Sequence, residues 1–350
     1  MRILNQKKTW GLILAVGLLI YCFYDFNFSM VLASLKAIKF KYLIPLLFLE
    51  SVIVLIRTTR LKIIFDPVKR IKLAVLYPVY TIGMMTNLLM PYLTGQVARL
   101  YLISKKARLK KTFVFTTTVL EVLFDGMALI GTVVLISVFV VLPAEFKAWH
   151  FAVLGGFVIV LSSALFILSR SPGLTHRIFE RLTDHFPSRA RKKIDDLRFS
   201  FYSGLEFLRS TRHLFVVSLL SLLSWLTQAV LVYLLILAFR FPIGVMEAVI
   251  ITVVVTILMT VVLAPWNIGT FQGATVATMQ PFGINKPEAL AFSLLLHIFV
   301  YLPPIILGAI FSFREGLSLK QLRDEGEKRV EDMDFDNGAP ADSEFIKAGD

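Results

Sequence analysis

The chain has 350 residues, of which 57% are hydrophobic and only 17% charged, and its mean hydropathy is +0.74. A soluble domain of this size needs far more charge on its surface, so the composition excludes that class and points to an integral membrane protein. The net charge of +13 would suggest nucleic acid in a soluble chain; here the basic residues lie between apolar runs, where they meet anionic lipid, and nucleic acid is not an expected partner. Cys22 is the single cysteine, so an internal disulfide and a thiolate metal site are both excluded.

Lys7, Lys8 and the apolar run 10–24 have the layout of a signal sequence. Asp25 and bulky aromatics stand where a small-residue cleavage site would be needed, so the run reads as a retained anchor. Apolar segments follow at 42–58, 73–93, 113–142, 151–169, 214–239, 248–264 and 289–313. Several exceed the roughly 18 residues of a membrane span. They are continuous rather than alternating, which predicts helices and not the strands of a barrel.

Lysine and arginine set the topology. If every segment crossed, the basic stretch Arg99–Lys111 would lie opposite Lys62–Lys72, although both are short and both belong on the cytoplasmic side. The conflict disappears if 73–98 enters and returns as a hairpin, with Gly83, Asn87, Pro91 and Gly95 supplying the break. A second hairpin over 248–282, broken at Pro265 and Gly269, then brings 289–313 back to the cytoplasm. On this scheme 31 of the 37 basic residues are inside. The expected fold is all-α: a polytopic transmembrane bundle with about six full spans plus two broken, re-entrant hairpins related as an inverted repeat. Domain organisation follows: residues 1–319 form the membrane domain, and 320–350, with ten acidic residues from Asp324 on, an acidic disordered tail. Both termini are expected in the cytoplasm, with the chain in a bacterial inner membrane.

Gly83, Asn87, Pro91, Gly95 and Arg99 recur at every fourth position and would form one stripe on a helix. Pro91 cannot donate to the carbonyl of Asn87, and a backbone opened at membrane depth must be buried or line a polar cavity. The bland reading is a small-residue packing seam; Asn87 and Arg99 favour a polar site, because such groups are costly in lipid. Glu121 and Asp125 lie four apart on one face of the 113–142 helix. Arg99 or the Arg57/Arg60 pair would neutralise one of them, and a protonatable pair would couple transport to protons. Asn267, Thr270 and Gln272 follow Pro265 and would offer hydrogen bonds to a headgroup. Glu50 and Arg57, one heptad apart, read as an ion pair, and His297 as a core histidine bonded to a neighbour. The basic segment 175–212 reads as an amphipathic helix on cytoplasmic headgroups. No Walker loop, zinc motif, nucleophile elbow or dinucleotide fingerprint occurs, so no cofactor, metal or catalytic residue is expected.

These residues resemble the lysylphosphatidylglycerol synthase transmembrane-region, or flippase-like, family. That family includes the lipid-flipping domain of the multiple peptide resistance factor and relatives tied to archaeal glycolipid and hopanoid pathways. Its pattern is matched by Gly83, Asn87, Pro91, Gly95 and Arg99, then Glu121 and Asp125, then Pro265 and Gly269. Gln96 stands where an acid is usual, Val122 where an arginine is usual and Gln272 where a glutamate is usual. The resemblance implies movement of a polar-headed lipid or glycolipid between leaflets, with Asn87, Pro91, Gly95, Gln96, Arg99, Glu121, Asp125, Pro265, Asn267, Gly269 and Gln272 around the headgroup. Two alternatives stay open: an accessory or scaffold partner of an envelope-biosynthesis enzyme, and a membrane glycosyltransferase.

Overall fold

The computed structural model describes residues 28–89, 94–137, 206–261 and 267–317, with isolated helical positions between 155 and 170; the side chains of 28, 94–96, 98, 136, 137, 206, 207, 260 and 261 lie outside that description. The expected spans at 10–24 and 151–169, most of segment 175–212, Pro91, Pro265 and the acidic tail therefore fall largely or wholly outside the described residues. Among the described residues every regular element is a helix and none is a strand. In chain order they are α1 (Phe28–Lys36), α2 (Leu43–Phe65), α3 (Leu73–Leu89), α4 (Thr94–Ala107), α5 (Lys111–Ser137), α6 (Thr211–Phe239), α7 (Val245–Val261), α8 (Thr270–Met279) and α9 (Lys286–Arg314).

Among the described residues, three helices are long and apolar enough to cross a bilayer: Lys111–Leu135, Thr211–Phe239 and Lys286–Arg314. Their ends carry local signals. Ser210 accepts from His213 N at the start of α6, and Arg240, at φ 58°, closes its end in the left-handed conformation. Asn285 accepts from Glu288 N at 3.0 Å ahead of α9. Hydroxyls inside the apolar helices are satisfied by carbonyls one turn back, as in Thr58 to Val54 O at 2.7 Å and Thr132 to Ala128 O at 2.8 Å. Outward faces stay apolar: Ile44 is 77% exposed, Phe48 69% and Val122 63%. A belt of this kind is a liability in water and the expected surface in lipid.

α2 is the spine that joins two packed regions. Leu46 and Ile53 belong to a core with residues of α6 to α9, among them Leu235, Ile251, Phe271 and Phe292. Val54, Leu61 and Phe65 belong to a second core with α3, α4 and the start of α5, among them Leu76, Ile82, Ile103 and Phe113. Each core contains one of two helical hairpins, the first being α3–α4 and the second α7–α8. In the first, α4 folds back on α3 so closely that a Cβ on Gly83 would lie 2.6 Å from Arg99 Cβ. These positions are equally far from Pro91, so the fourfold stripe is divided across two helices instead of running along one. In the second, α8 returns along α7 after a tight turn in which Asn267 (φ 54°) and Gly269 (φ 85°) are left-handed. With 14 and 10 residues, the returning helices α4 and α8 are only about 21 and 15 Å long at 1.5 Å per residue, short of a bilayer core of about 30 Å.

Candidate functional site

α2, α4 and α5 place four charges in one buried network. Arg60 is 1% exposed, so its guanidinium must be met by protein. Its Nη1 donates to Asp125 Oδ1 at 2.5 Å and to Ser221 Oγ on α6 at 2.9 Å, and its Nη2 donates to Asp125 Oδ2 at 2.9 Å. The same Nη2 lies 3.5 Å from Glu121 Oε1. Arg99 completes the chain, donating from Nη2 to Glu121 Oε2 at 2.8 Å, with its guanidinium carbon 5.2 Å from the centre of the Tyr80 ring. The order Arg99–Glu121–Arg60–Asp125 alternates in sign and sums to zero charge. The spacing of Glu121 and Asp125 explains why one helix serves both arginines: residues four apart share a face, and Glu121 lies ten residues, about 15 Å, into α5. Three members are closed off, with side chains 1% (Arg60), 9% (Arg99) and 4% (Glu121) exposed; Asp125, at 28%, is the open end.

The second hairpin carries a neutral network. Gln272 Oε1 accepts from Gly269 N at 2.8 Å, capping α8, while Gln272 Nε2 meets His297 Nδ1 at 2.9 Å. The His297 ring stacks on Phe271 at 4.8 Å and stands edge-on to Tyr301 at 4.2 Å. Tyr301 Oη in turn accepts from Asn267 Nδ2 at 2.9 Å. His297 is thus the bonded core histidine that the sequence predicts.

Of the expected site residues, Arg99, Glu121 and Asp125 come together, as do Asn267, Gly269 and Gln272, in a different place. Asn87 is exposed on α3 rather than folded into either network. Gly95 and Gln96 lie on α4, their side chains outside the described residues, and Pro91 and Pro265 lie outside them altogether. Arg60 carries the network, whereas the sequence marks it only as half of a candidate counter-charge pair with Arg57. Ser221 gave no signal. Glu50 and Arg57 do not close into the expected pair. The Arg57 guanidinium carbon sits 5.4 Å from the Trp225 ring centre, and Glu50 Oε2 and Arg57 Nε are buried without hydrogen-bond partners. On the opposite face of α2, Phe48, Ser51, Val52 and Leu55 line an apolar groove of about 440 Å³ together with Leu73, Ala74 and Tyr77.

An apolar helical bundle that buries a neutral charge quartet and carries two hairpins with short returning helices is a polytopic membrane protein. The chain belongs to the lysylphosphatidylglycerol synthase transmembrane-region family, whose profile matches residues 9–308. It is 21% identical over 229 residues to a UPF0104 membrane protein of Methanothermobacter thermautotrophicus, covering 62% of this chain and 68% of that one. It is 24% identical over 239 residues to a UPF0104 membrane protein of Methanocaldococcus jannaschii, covering 65% and 70%. No solved structure matches.

Proposed function

We propose that the protein moves a polar-headed lipid or glycolipid between leaflets of an inner membrane, with no catalytic step of its own. The observation that carries this reading is the charge quartet buried among apolar helices, closed on three sides and open at Asp125. Groups so costly in lipid belong to a polar pathway, and a network preformed and neutral would admit a headgroup without first separating buried charges. The hairpins α3–α4 and α7–α8 supply the remaining polar groups, and the tails stay in the bilayer. About six full spans, the two hairpins as an inverted repeat and both termini inside complete the reading; its support is the shortness of α4 and α8 and the contact of Gly83 with Arg99. Basic cytoplasmic loops would rest on anionic lipid.

The test is translocation of fluorescent phosphatidylglycerol and of a fluorescent glycolipid in reconstituted vesicles. Arg99→Ala and Asp125→Asn should each abolish it while the protein still elutes as a folded species; undiminished translocation rejects the site. Topology has its own check. In a Cys22→Ser background, Lys106→Cys should resist an impermeant thiol reagent added to intact cells, and labelling from outside would overturn the hairpin scheme.

One observation favours a second reading, an accessory or scaffold partner of an envelope-biosynthesis enzyme. Arg60, Arg99 and Glu121 are buried against one another, and the groove beside α2 is apolar rather than polar. A wild-type protein that moves neither labelled lipid yet copurifies with such an enzyme would select it.

A further inference from the structure

Six charged side chains converge on the buried side of α2: Arg57, Arg60 and Arg99 against Glu50, Glu121 and Asp125. Four of them form the quartet. The remaining two share the buried face of α2, seven residues and about 10 Å of helix axis apart, and they stay apart. Glu50 is 1% exposed, and its Oε2 has no hydrogen-bond partner. Arg57 is half-buried, leans on Trp225 and forms no ion pair, and its Nε is likewise unpartnered. Among the described residues, the charged or titratable groups in electrostatic range of Glu50 are Arg57 on its own helix and Tyr301 on α9, with His297 edge-on to Tyr301. Those in range of Arg57 are Glu50, Asp125 and Tyr80.

Neither protonation state of Glu50 satisfies this arrangement. Ionised, the carboxylate balances Arg57 at a distance but has an oxygen with no donor in an apolar core. Neutral, it leaves Arg57 as an uncompensated cation among the six groups. The second deficit is cancelled by an anion at Arg57, whose planar guanidinium suits a phosphate oxygen pair. We infer that Glu50 and Arg57 form a linked site in which an anionic phosphate headgroup binds at Arg57 as a proton binds at Glu50. The inference rests on the lipid-handling reading and deepens it. Glu121 and Asp125, which the sequence offers as proton carriers, are both held by arginines; Glu50 is the acid left to take the proton up. Linkage is reciprocal, so the anion must raise proton occupancy and the proton must raise anion affinity by the same factor.

The experiment is infrared difference spectroscopy of the purified full-length protein in nanodiscs, reading the protonated-carboxyl stretch. At one fixed pH within its titration, the signal should be larger in discs containing phosphatidylglycerol than in discs of phosphatidylcholine alone. Inorganic phosphate added to phosphatidylcholine discs should not substitute. Glu50→Gln should remove the titrating signal; Arg57→Gln should keep a carboxyl signal but remove its dependence on phosphatidylglycerol. A wild-type signal indifferent to lipid charge, one that survives Glu50→Gln, or one that free phosphate reproduces would each overturn the inference. The wild-type comparison between lipids needs no variant, so misfolding cannot obscure it. Proton occupancy is read whether or not lipid crosses the membrane. A protein that shows the linkage but moves no lipid keeps this site and loses the flippase reading. One that moves lipid without the linkage does the reverse.

Discussion

The two hairpins solve the same problem with different chemistry. Around the first, α3–α4, buried polar groups are held by full charges: Arg99 and Arg60 against Glu121 and Asp125. Around the second, α7–α8, they are held by neutral amide, imidazole and phenol groups through Gln272, His297, Tyr301 and Asn267. A charged network is stiff to substitution, because removing one partner leaves the other buried and uncompensated. A neutral one loses only a hydrogen bond. The comparison teaches where the molecule tolerates change: the first hairpin is fixed to α2 and α5, and the second is tied to α9 by contacts that break cheaply.

The sharpest way to break the comparison is at Arg60. Arg60→Ala strands the Asp125 carboxylate, leaves Glu121 with Arg99 alone and opens a cavity, so it should cost about 3–5 kcal/mol. A large fall in the melting temperature of the detergent-purified protein is the expected result. The double replacement Arg60→Met, Asp125→Leu should recover most of the loss, because it removes both charges together. If the single and double variants melt alike, the pair holds no buried charge and the contrast with the second hairpin disappears.

Next in size are the close approaches that seat the first hairpin. A Cβ at Gly308 on α9 would come within 2.8 Å of Thr81 O and 2.5 Å of Met85 Cβ; at Gly83 it would meet Arg99 Cβ at 2.6 Å and Cγ at 2.8 Å. Backbone cannot give way as a side-chain tip can. Gly308→Ala and Gly83→Ala should therefore each cost about 1–3 kcal/mol by overpacking. Thermal melting would rank them, and Gly83→Ala should also weaken the Arg99–Glu121 contact by shifting α4. Gly131→Ala, on α5 with open space around it, is the matched control and should be neutral.

Helix class and the bonded state of His297 were legible because each rests on a local property: run length, or one polar group in an apolar run. The partner of each charge was not. Arg57 and Arg60 are three residues apart on one helix, yet Arg60 is locked between two carboxylates while Arg57 faces Trp225. That difference is decided by where α5 and α6 cross α2. The spacing of Gly83 and Arg99 was legible as a motif and misleading as a stripe, since the two residues meet across α3 and α4 instead of lying along one helix. Asn87, which the same motif groups with them, is left exposed.

The smallest expected effect sharpens the neutral side. Gln272 makes two bonds, and they show what its amide adds. The carbonyl oxygen caps α8 through Gly269 N, and the amide nitrogen reaches His297 Nδ1. A glutamate would keep the cap and lose the donor, unless the imidazole took a proton and donated in its place. Gln272→Ala removes both bonds, and the lost cap alone is worth about 0.5–2 kcal/mol. Gln272→Glu should fall between wild type and alanine, because it keeps the cap and loses the amide donor to His297. Melting curves of the three proteins measure the order. Equal stability of the glutamate and alanine variants would show that the cap does not support the second hairpin, and that α8 is held by apolar packing of Phe271 and Val276.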